Sequence, residues 1–190
     1  SVYISGKVTS EIIRCIEDNL GSGQWGEVTE KAKTTLVPPV TTKEKRIFIE
    51  REDALQSSLK MGCFVMDRHH PDFLKARVMV TLFGGYFGSR LMSNIREDKG
   101  YTYGIGAGIV SYPGTGILTV STEAANEYVD SIITEVYREM DKLCNDLVPQ
   151  EELEMVKNYM LGDLCRSYEG PFSFSDAWIY IETAGLDERF

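Results

Sequence analysis

The sequence predicts an α+β fold in which helices cover one face of a mostly antiparallel sheet. Its strand patterns come in adjacent pairs and do not alternate singly with helices, which favours antiparallel pairing over βαβ units. Amphipathic helix patterns follow these pairs and need an apolar surface to pack against. The length of 190 residues, with 43% hydrophobic and 26% charged residues, is typical of a globular chain with a sizeable core.

The N-terminal part predicts a strand and a helix, followed by a linker. Val2–Val8 alternates apolar with polar residues, and residues 10–20 place four apolar side chains on one helical stripe. Residues 21–44 contain three glycines and Pro38-Pro39 without any periodicity, which is typical of a connecting segment. The sequence therefore predicts three parts, which are residues 1–21, 22–44 and 45–190.

The main part contains two pairs of strand patterns, with helix patterns between and after them. The strand patterns cover residues 45–50, 57–66, 101–111 and 115–122. The helix patterns cover residues 73–83, 90–99, 127–143, 149–164 and 172–190. Pro113-Gly114 predicts the hairpin turn of the second strand pair, and Gly100 predicts the end of the helix before it.

Charge and hydropathy exclude some classes of partner. The net charge of −9 disfavours nucleic acid, because phosphate binding depends on clustered Lys and Arg. No apolar run approaches the roughly 18 residues of a membrane span, so no membrane partner is expected. Residues 123–163 hold 11 acidic and 3 basic side chains, which predicts a solvated helical face or, alternatively, a wall that attracts a cationic peptide. Because the chain starts at Ser1 without a basic leader, we expect a piece of a longer protein.

The histidines and cysteines give no metal-binding pattern. The two histidines, His69 and His70, are neighbours before Pro71, where the backbone is biased to be extended and adjacent side chains point apart. They therefore predict a solvated loop and not a chelating pair. The four cysteines have no CxxC spacing, so we expect them to be reduced and mostly buried in the core. No metal site is expected in this chain.

Glycine is concentrated in the centre, where nine of the 17 glycines lie between positions 84 and 116. One interpretation is a phosphate cradle, because Gly84, Gly85 and Gly88 precede a helix, but the Lys-Ser/Thr of a P-loop is missing. Another is structural: residues 104, 106 and 108 are glycines on one face of a strand, where a neighbouring element can approach closely.

A third interpretation of this region comes from resemblance. Gly84–Leu91, which contains Gly-Gly and Ser-Arg-Leu, leads into Ile95–Tyr103, which contains Arg-Glu-x-x-Gly and a following Tyr. This combination resembles the zinc-metallopeptidase family of pitrilysin, insulin-degrading enzyme and mitochondrial processing peptidase. The flanks Val2–Gly21 and Pro149–Leu153 also resemble family segments. The family's zinc motif, His-x-x-Glu-His, is absent, so the chain resembles the C-terminal, non-zinc-binding domain.

The resemblance implies a role in peptide cleavage without a cofactor bound to this chain. In the family this domain faces the zinc domain across a chamber and supplies an Arg and a Tyr, seven residues apart, to the active site; Arg96 and Tyr103 match that spacing. Zinc is then expected in the parent's N-terminal half or in a partner subunit. The resemblance also implies that residues 1–21 belong to the preceding zinc half. The chain alone is expected to be inactive. Expected partners are a peptide substrate and that zinc-binding half or subunit.

The chemistry of these two residue types fits such a role. A neutral Tyr hydroxyl donates a hydrogen bond to the oxyanion of a tetrahedral intermediate, and the forked Arg guanidinium clamps a peptide carbonyl. From the residues alone, other interpretations stay open: Arg96 can serve its helix C-terminus, and Tyr103 alternates with Ile105 and would then face the core. Tyr101 is the alternative functional tyrosine. The alternative function is a non-catalytic paralogue that acts as a scaffold or partner subunit, and a nucleotide-binding module is a more distant one.

Overall fold

The computed structural model describes residues 2–21 and 42–187, and contacts divide the chain into two compact units. One unit comprises Ser1–Thr35 and Met160–Phe190, and the other comprises Leu36–Tyr159. Most of the predicted linker, residues 22–44, lies outside the described residues. The sequence-based boundaries of the three parts stay a prediction.

The larger unit is built on a three-stranded antiparallel sheet with β3 in its centre. The strands are β1, Ser57–Val65, β2, Thr102–Tyr112, and β3, Thr115–Ala124, in the order β1-β3-β2. β2 and β3 form the predicted hairpin, whose turn uses Gly114 at a φ of +77°. These three predicted strands and the α+β class are confirmed.

The other regular elements of the described residues are helices. In the larger unit, α2 (Phe73–Val80) continues as a π-helical turn, and the wider π-helix Met92–Asp98 precedes the sheet hairpin. A 3-10 turn then leads into α3 (Val129–Asn145). The remaining helices are α1 (Ser10–Ile16), α4 (Gln150–Ser167) and α5 (Pro171–Thr183). All of them overlap helices that the sequence predicts. Among the described residues, no helix is long and apolar enough to cross a membrane.

The core lies between one face of the sheet and the helices. Along β3 every second residue is buried, from Gly116 to Ala124, as expected for a sheet with one covered face. Apolar side chains from the π-helical turn after α2, the π-helix and the residue before it, α3 and the two hairpin strands form one buried cluster. It consists of Phe83, Leu91, Ile95, Ile105, Val120, Ala124, Ile132 and Val136. Burial of each large side chain contributes about 1.5–3 kcal/mol, so this cluster fixes the helices on the sheet.

Close backbone approaches in the glycine-rich region occur at Gly84 and at Gly116, where an added Cβ would clash with the carbonyl oxygen of Met66. A Cβ added at Gly84 would lie 2.7 Å from the Cβ and 2.8 Å from the backbone N of Ala107 in β2. The sequence predicts this approach at residues 104, 106 and 108 instead. An added Cβ would meet nothing within 4 Å at Gly104 or Gly108, so the prediction is wrong for those two positions.

Two predicted strands and the predicted burial of the cysteines are wrong for the described residues. Residues 45–50 form no strand, and Ile47, Phe48 and Ile49 are exposed; Val2–Val8 is likewise unpaired. An alternating pattern gives a segment strand propensity, but the strand forms only when a partner backbone completes its hydrogen bonds. All four cysteines are free, as predicted, but they are exposed.

We predict that Gly84→Ala destabilises the chain, whereas Gly108→Ala on the adjacent strand does not. The alanine methyl group at position 84 would force β2 or the preceding turn to move, at a cost of about 1–3 kcal/mol. The measurement is the free energy of unfolding from denaturant titration of both variants. Equal stability of the two variants would contradict the close packing of Gly84 against β2.

Candidate functional site

Arg96 lies near the end of the π-helix Met92–Asp98, on the side away from the core. The neighbouring Ile95 is fully buried and anchors the helix on the sheet. Gly100 ends the helix at a φ of +65°, as predicted, and its N–H donates to the Arg96 carbonyl at 3.1 Å. The chain therefore turns back at Gly100 and enters β2 beside the Arg96 side chain.

Tyr103 is 92% exposed because β2 contains a β-bulge at its start. Thr102 lies opposite Ala124, but Ile105 lies opposite Thr122, so β2 has one residue more than β3 between these two pairs. Without the extra residue, Tyr103 would share the face of Ile105, which is 4% exposed. The bulge breaks the alternation on which the core interpretation of Tyr103 rests.

The structure brings Arg96 and Tyr103 together and adds a third side chain, Phe87. The Arg96 Cζ lies 5.6 Å from the Tyr103 ring centroid and 4.6 Å from the Phe87 ring centroid. Cation–π contacts at exposed positions contribute about 0.5–1 kcal/mol each, enough to favour one position of the guanidinium. Arg96 also forms an ion pair with Glu97. Sequence reasoning missed Phe87, although an aromatic residue within a glycine-rich turn is a signal that the sequence contains.

Tyr101, the alternative functional tyrosine, packs against the core. Its ring stacks on that of Tyr128 with a centroid distance of 4.8 Å, and both rings border the buried cluster. The two tyrosines at the start of β2 therefore have different environments. Tyr101 supports the sheet, and Tyr103 presents its ring beside a cation to solvent.

On its opposite side the π-helix is held by two buried carboxylates of α3. The Asn94 side-chain amide donates to Glu135 Oε2 at 3.0 Å and to Glu139 Oε1 at 2.8 Å. Lys99 donates to Asn94 Oδ1 at 2.5 Å, and Glu135 and Glu139 also form ion pairs with cations on α3. Buried carboxylates are tolerated when they are paired and hydrogen-bonded in this way.

This network corrects the prediction that the acidic block is solvated throughout. Glu135 and Glu139 are only 7% and 4% exposed. Burial disfavours the charged form of Glu135, but the hydrogen bond from Asn94 and the charges of Lys99 and Arg138 outweigh it and hold the pKa of Glu135 below its usual value.

The described residues do not fit a metal site, and one of the three glycines of the predicted phosphate cradle is buried. No group of three or more His, Cys, Asp or Glu side chains is placed to hold a metal ion in residues 2–21 and 42–187. His69 lies in the predicted loop, where its Nδ1 is 3.6 Å from Asp67 Oδ2. Gly84 is buried under Ala107, which covers the backbone that a phosphate cradle would need to expose.

Comparison with known proteins assigns this architecture to a family of peptidase domains. The family described as "Peptidase M16 inactive domain" matches residues 1–160. The chain is 26% identical over 169 residues to the uncharacterized zinc protease YmxG of Bacillus subtilis (strain 168), which covers 88% of this chain and 40% of YmxG. The chain therefore spans less than half the length of this relative.

Two solved structures are similar in fold. A peptidase M16 inactive domain from Pseudomonas fluorescens is 27% identical with a TM-score of 0.55, over 58% of this chain and 27% of the other. A protease from Helicobacter pylori is 17% identical with a TM-score of 0.74, over 95% of this chain and 45% of the other. The second likeness shows that the fold extends over nearly the whole chain.

We predict that Asn94→Ala destabilises the chain at neutral pH and much less at acid pH. Loss of the amide leaves two buried carboxylates with fewer hydrogen bonds, at a cost of about 1–3 kcal/mol. Because the folded-state pKa of Glu135 is lowered, its stabilisation is present above the unfolded-state pKa and is lost as the pH falls through the folded-state value.

Chemical unfolding between pH 7 and pH 3 measures this difference. The exposed Asn158→Ala on α4 is the control, and it should differ from wild type by a small helix-propensity effect that does not change with pH. A difference between wild type and Asn94→Ala that is constant over the whole pH range would contradict the role of the ionised carboxylates.

Proposed function

The chain belongs to the peptidase M16 inactive-domain family, and from this we propose that it is the non-zinc-binding part of a zinc metallopeptidase. In this proposal it closes a chamber over an extended peptide and supplies Arg96 and Tyr103 to the reaction. The observation that carries the proposal is the contact between the Arg96 guanidinium and the Tyr103 ring on an exposed surface. The name of YmxG, a zinc protease, supports the class of reaction.

Tyr103 is suited to stabilise negative charge on a reacting oxygen. Its hydroxyl can donate a hydrogen bond to such an oxygen. One such donor, aimed at a tetrahedral oxyanion, lowers the barrier by about 2.7–4 kcal/mol when water is excluded. Because Tyr103 is exposed in this chain, exclusion of water requires a second surface to cover it. The proposed zinc-binding half, in the same parent or in a partner subunit, provides that surface.

Arg96 is suited to hold the peptide backbone beside the reacting bond. Its planar guanidinium has forked donors that match a carbonyl oxygen. The rings of Phe87 and Tyr103 restrict its position before a substrate arrives. Less conformational entropy is then lost on binding, which favours recognition of main-chain atoms over particular side chains.

The zinc ion of this proposal lies outside the chain. The described residues provide no suitable ligand group, so the metal would be held by another segment of the parent or by a partner subunit. The share of YmxG that this chain does not cover is long enough for a separate half. This chain would contribute only hydrogen-bond donors and a wall of the chamber.

We predict that Tyr103→Phe in the full-length parent lowers kcat by about 10²–10³-fold with little change in KM, because only the donor to the oxyanion is lost. The ring and its contact with Arg96 remain. Tyr112→Phe, at the far end of β2, removes a similar hydroxyl and should keep the wild-type kcat. Steady-state cleavage of a fluorogenic peptide measures both variants.

An unchanged kcat for Tyr103→Phe, with intact zinc content, would remove Tyr103 from the mechanism. A parent with no cleavage activity and no His-x-x-Glu-His in itself or in a partner subunit would favour the non-catalytic scaffold.

We also predict that the isolated chain purifies without stoichiometric zinc and cleaves no peptide. Elemental analysis after dialysis against a zinc-containing buffer should give well below one zinc per chain. One tightly held zinc per chain would contradict the assignment of the metal to another segment.

A further inference from the structure

Thr122 is a polar residue in a row of apolar core residues. On the buried face of β3 it lies between Val120 and Ala124 and is only 6% exposed. A valine has nearly the same shape and would add no polar group to the core. A buried hydroxyl reduces stability unless it is hydrogen-bonded, so the threonine at this position requires a specific partner.

The partner is the backbone of the β-bulge. Gly104 lies within the bulge, between the paired residues Thr102 and Ile105, and has no opposite residue in the register with β3. Thr122 Oγ1 lies 2.8 Å from the Gly104 carbonyl oxygen, and the Gly104 N–H donates to Thr102 Oγ1 at 3.2 Å. Two hydroxyls therefore satisfy both backbone polar groups of Gly104, a residue that the register with β3 leaves unpaired.

The two threonines also contact each other and the neighbouring strand. Thr122 Oγ1 lies 2.8 Å from Thr102 Oγ1, and Thr102 Oγ1 donates to the carbonyl of Glu123 at 2.6 Å. Thr102 thus ties the start of β2 to the end of β3, immediately before Tyr103. The bulge is held on both sides by side chains that do not themselves reach the exposed surface at Tyr103.

The orientation of Tyr103 depends on this bulge. Ile105 is buried, and an unbroken strand would place Tyr103 on the same face as Ile105. The extra residue turns Tyr103 outward, where its ring meets the guanidinium of Arg96. Loss of the Thr122 hydroxyl would leave the Gly104 carbonyl with only the longer contact of 3.1 Å to Thr102 Oγ1. The bulge could then close or fluctuate, and either change would weaken the contact between Tyr103 and Arg96.

We propose that Thr122 is a positioning residue, whose buried hydroxyl fixes the β2 bulge and thereby holds Tyr103 outward beside Arg96. The contact with Arg96 can be tested in this chain alone; the kinetic consequence rests on the function proposed above.

The first experiment measures the contact directly. In the chain as it stands, the NMR shift of the Arg96 Hε proton contains a ring-current contribution from Tyr103, and Tyr103→Leu calibrates its size. Thr122→Val should remove at least half of that contribution, because the bulge no longer has its hydroxyl. Thr122→Ser keeps a hydroxyl and should retain most of it.

A matched control separates positioning from general loosening of the core. Val120→Ala, two residues away on the same buried face, weakens the core without touching Gly104. It should lower the melting temperature and leave the Arg96 shift at its wild-type value. A wild-type Arg96 shift in Thr122→Val, or an equal change in Val120→Ala, would overturn the proposal.

The second experiment uses the full-length parent and separates this inference from the proposed function. If both hold, Thr122→Val lowers kcat at least tenfold, toward the value for Tyr103→Phe, with KM nearly unchanged, and Thr122→Ser restores most of it. If the Arg96 shift changes but neither Thr122→Val nor Tyr103→Phe alters kcat, the positioning role stands and the proposed function fails. A fall in kcat for Tyr103→Phe but not for Thr122→Val would overturn the positioning role.

Discussion

The one extra residue in β2 is the constraint on which the candidate site depends. Within the bulge the strand places Tyr103 at the surface, and directly after the bulge the same strand places Ile105 in the core. A regular strand cannot do both at positions two residues apart. The bulge lets β2 keep one face covered while Tyr103 stays exposed, and the hydroxyls of Thr102 and Thr122 stabilise it.

The π-helix positions Arg96, because its other side chains hold it firmly in place. Leu91 and Ile95 fix the helix on the sheet, and Asn94 fixes it to the buried carboxylates of α3. On the other side of the helix, the partly buried Arg96 lies against the rings of Phe87 and Tyr103. The site therefore combines an exposed tyrosine with a partly buried arginine on a firmly packed support, an arrangement suited to action against a second surface. A wall of a shared chamber has the same requirement.

The sequence predicted most of the fold because the core positions follow simple periods. Three of the predicted strands and all of the predicted helices overlap observed elements, and Gly100 and Gly114 adopt the predicted positive φ. The strand predicted at residues 45–50 failed because pairing depends on a partner that local sequence does not contain. The contact between Arg96 and Tyr103 followed from resemblance and not from periodicity, which alone would have placed Tyr103 in the core.

Two signals in the sequence were available and were not used. Thr122 interrupts the apolar alternation of β3, which indicates a buried partner for its hydroxyl. On α3, Glu135 and Glu139 fall on the same stripe as Ile132 and Val136, at intervals of three and four residues, so they lie toward the core. Thr122 and the two glutamates are polar residues at positions where the pattern calls for apolar ones. They belong to the hydrogen-bond networks that support the site.

The most direct test of this account is the register of the β2–β3 hairpin, measured from cross-strand NMR contacts between backbone protons. We expect Thr102 to lie opposite Ala124 and Ile105 to lie opposite Thr122, with Tyr103 and Gly104 in the bulge between them. An unbroken register that places Tyr103 opposite Ala124 would contradict it, because Tyr103 would then share the buried face of Ile105.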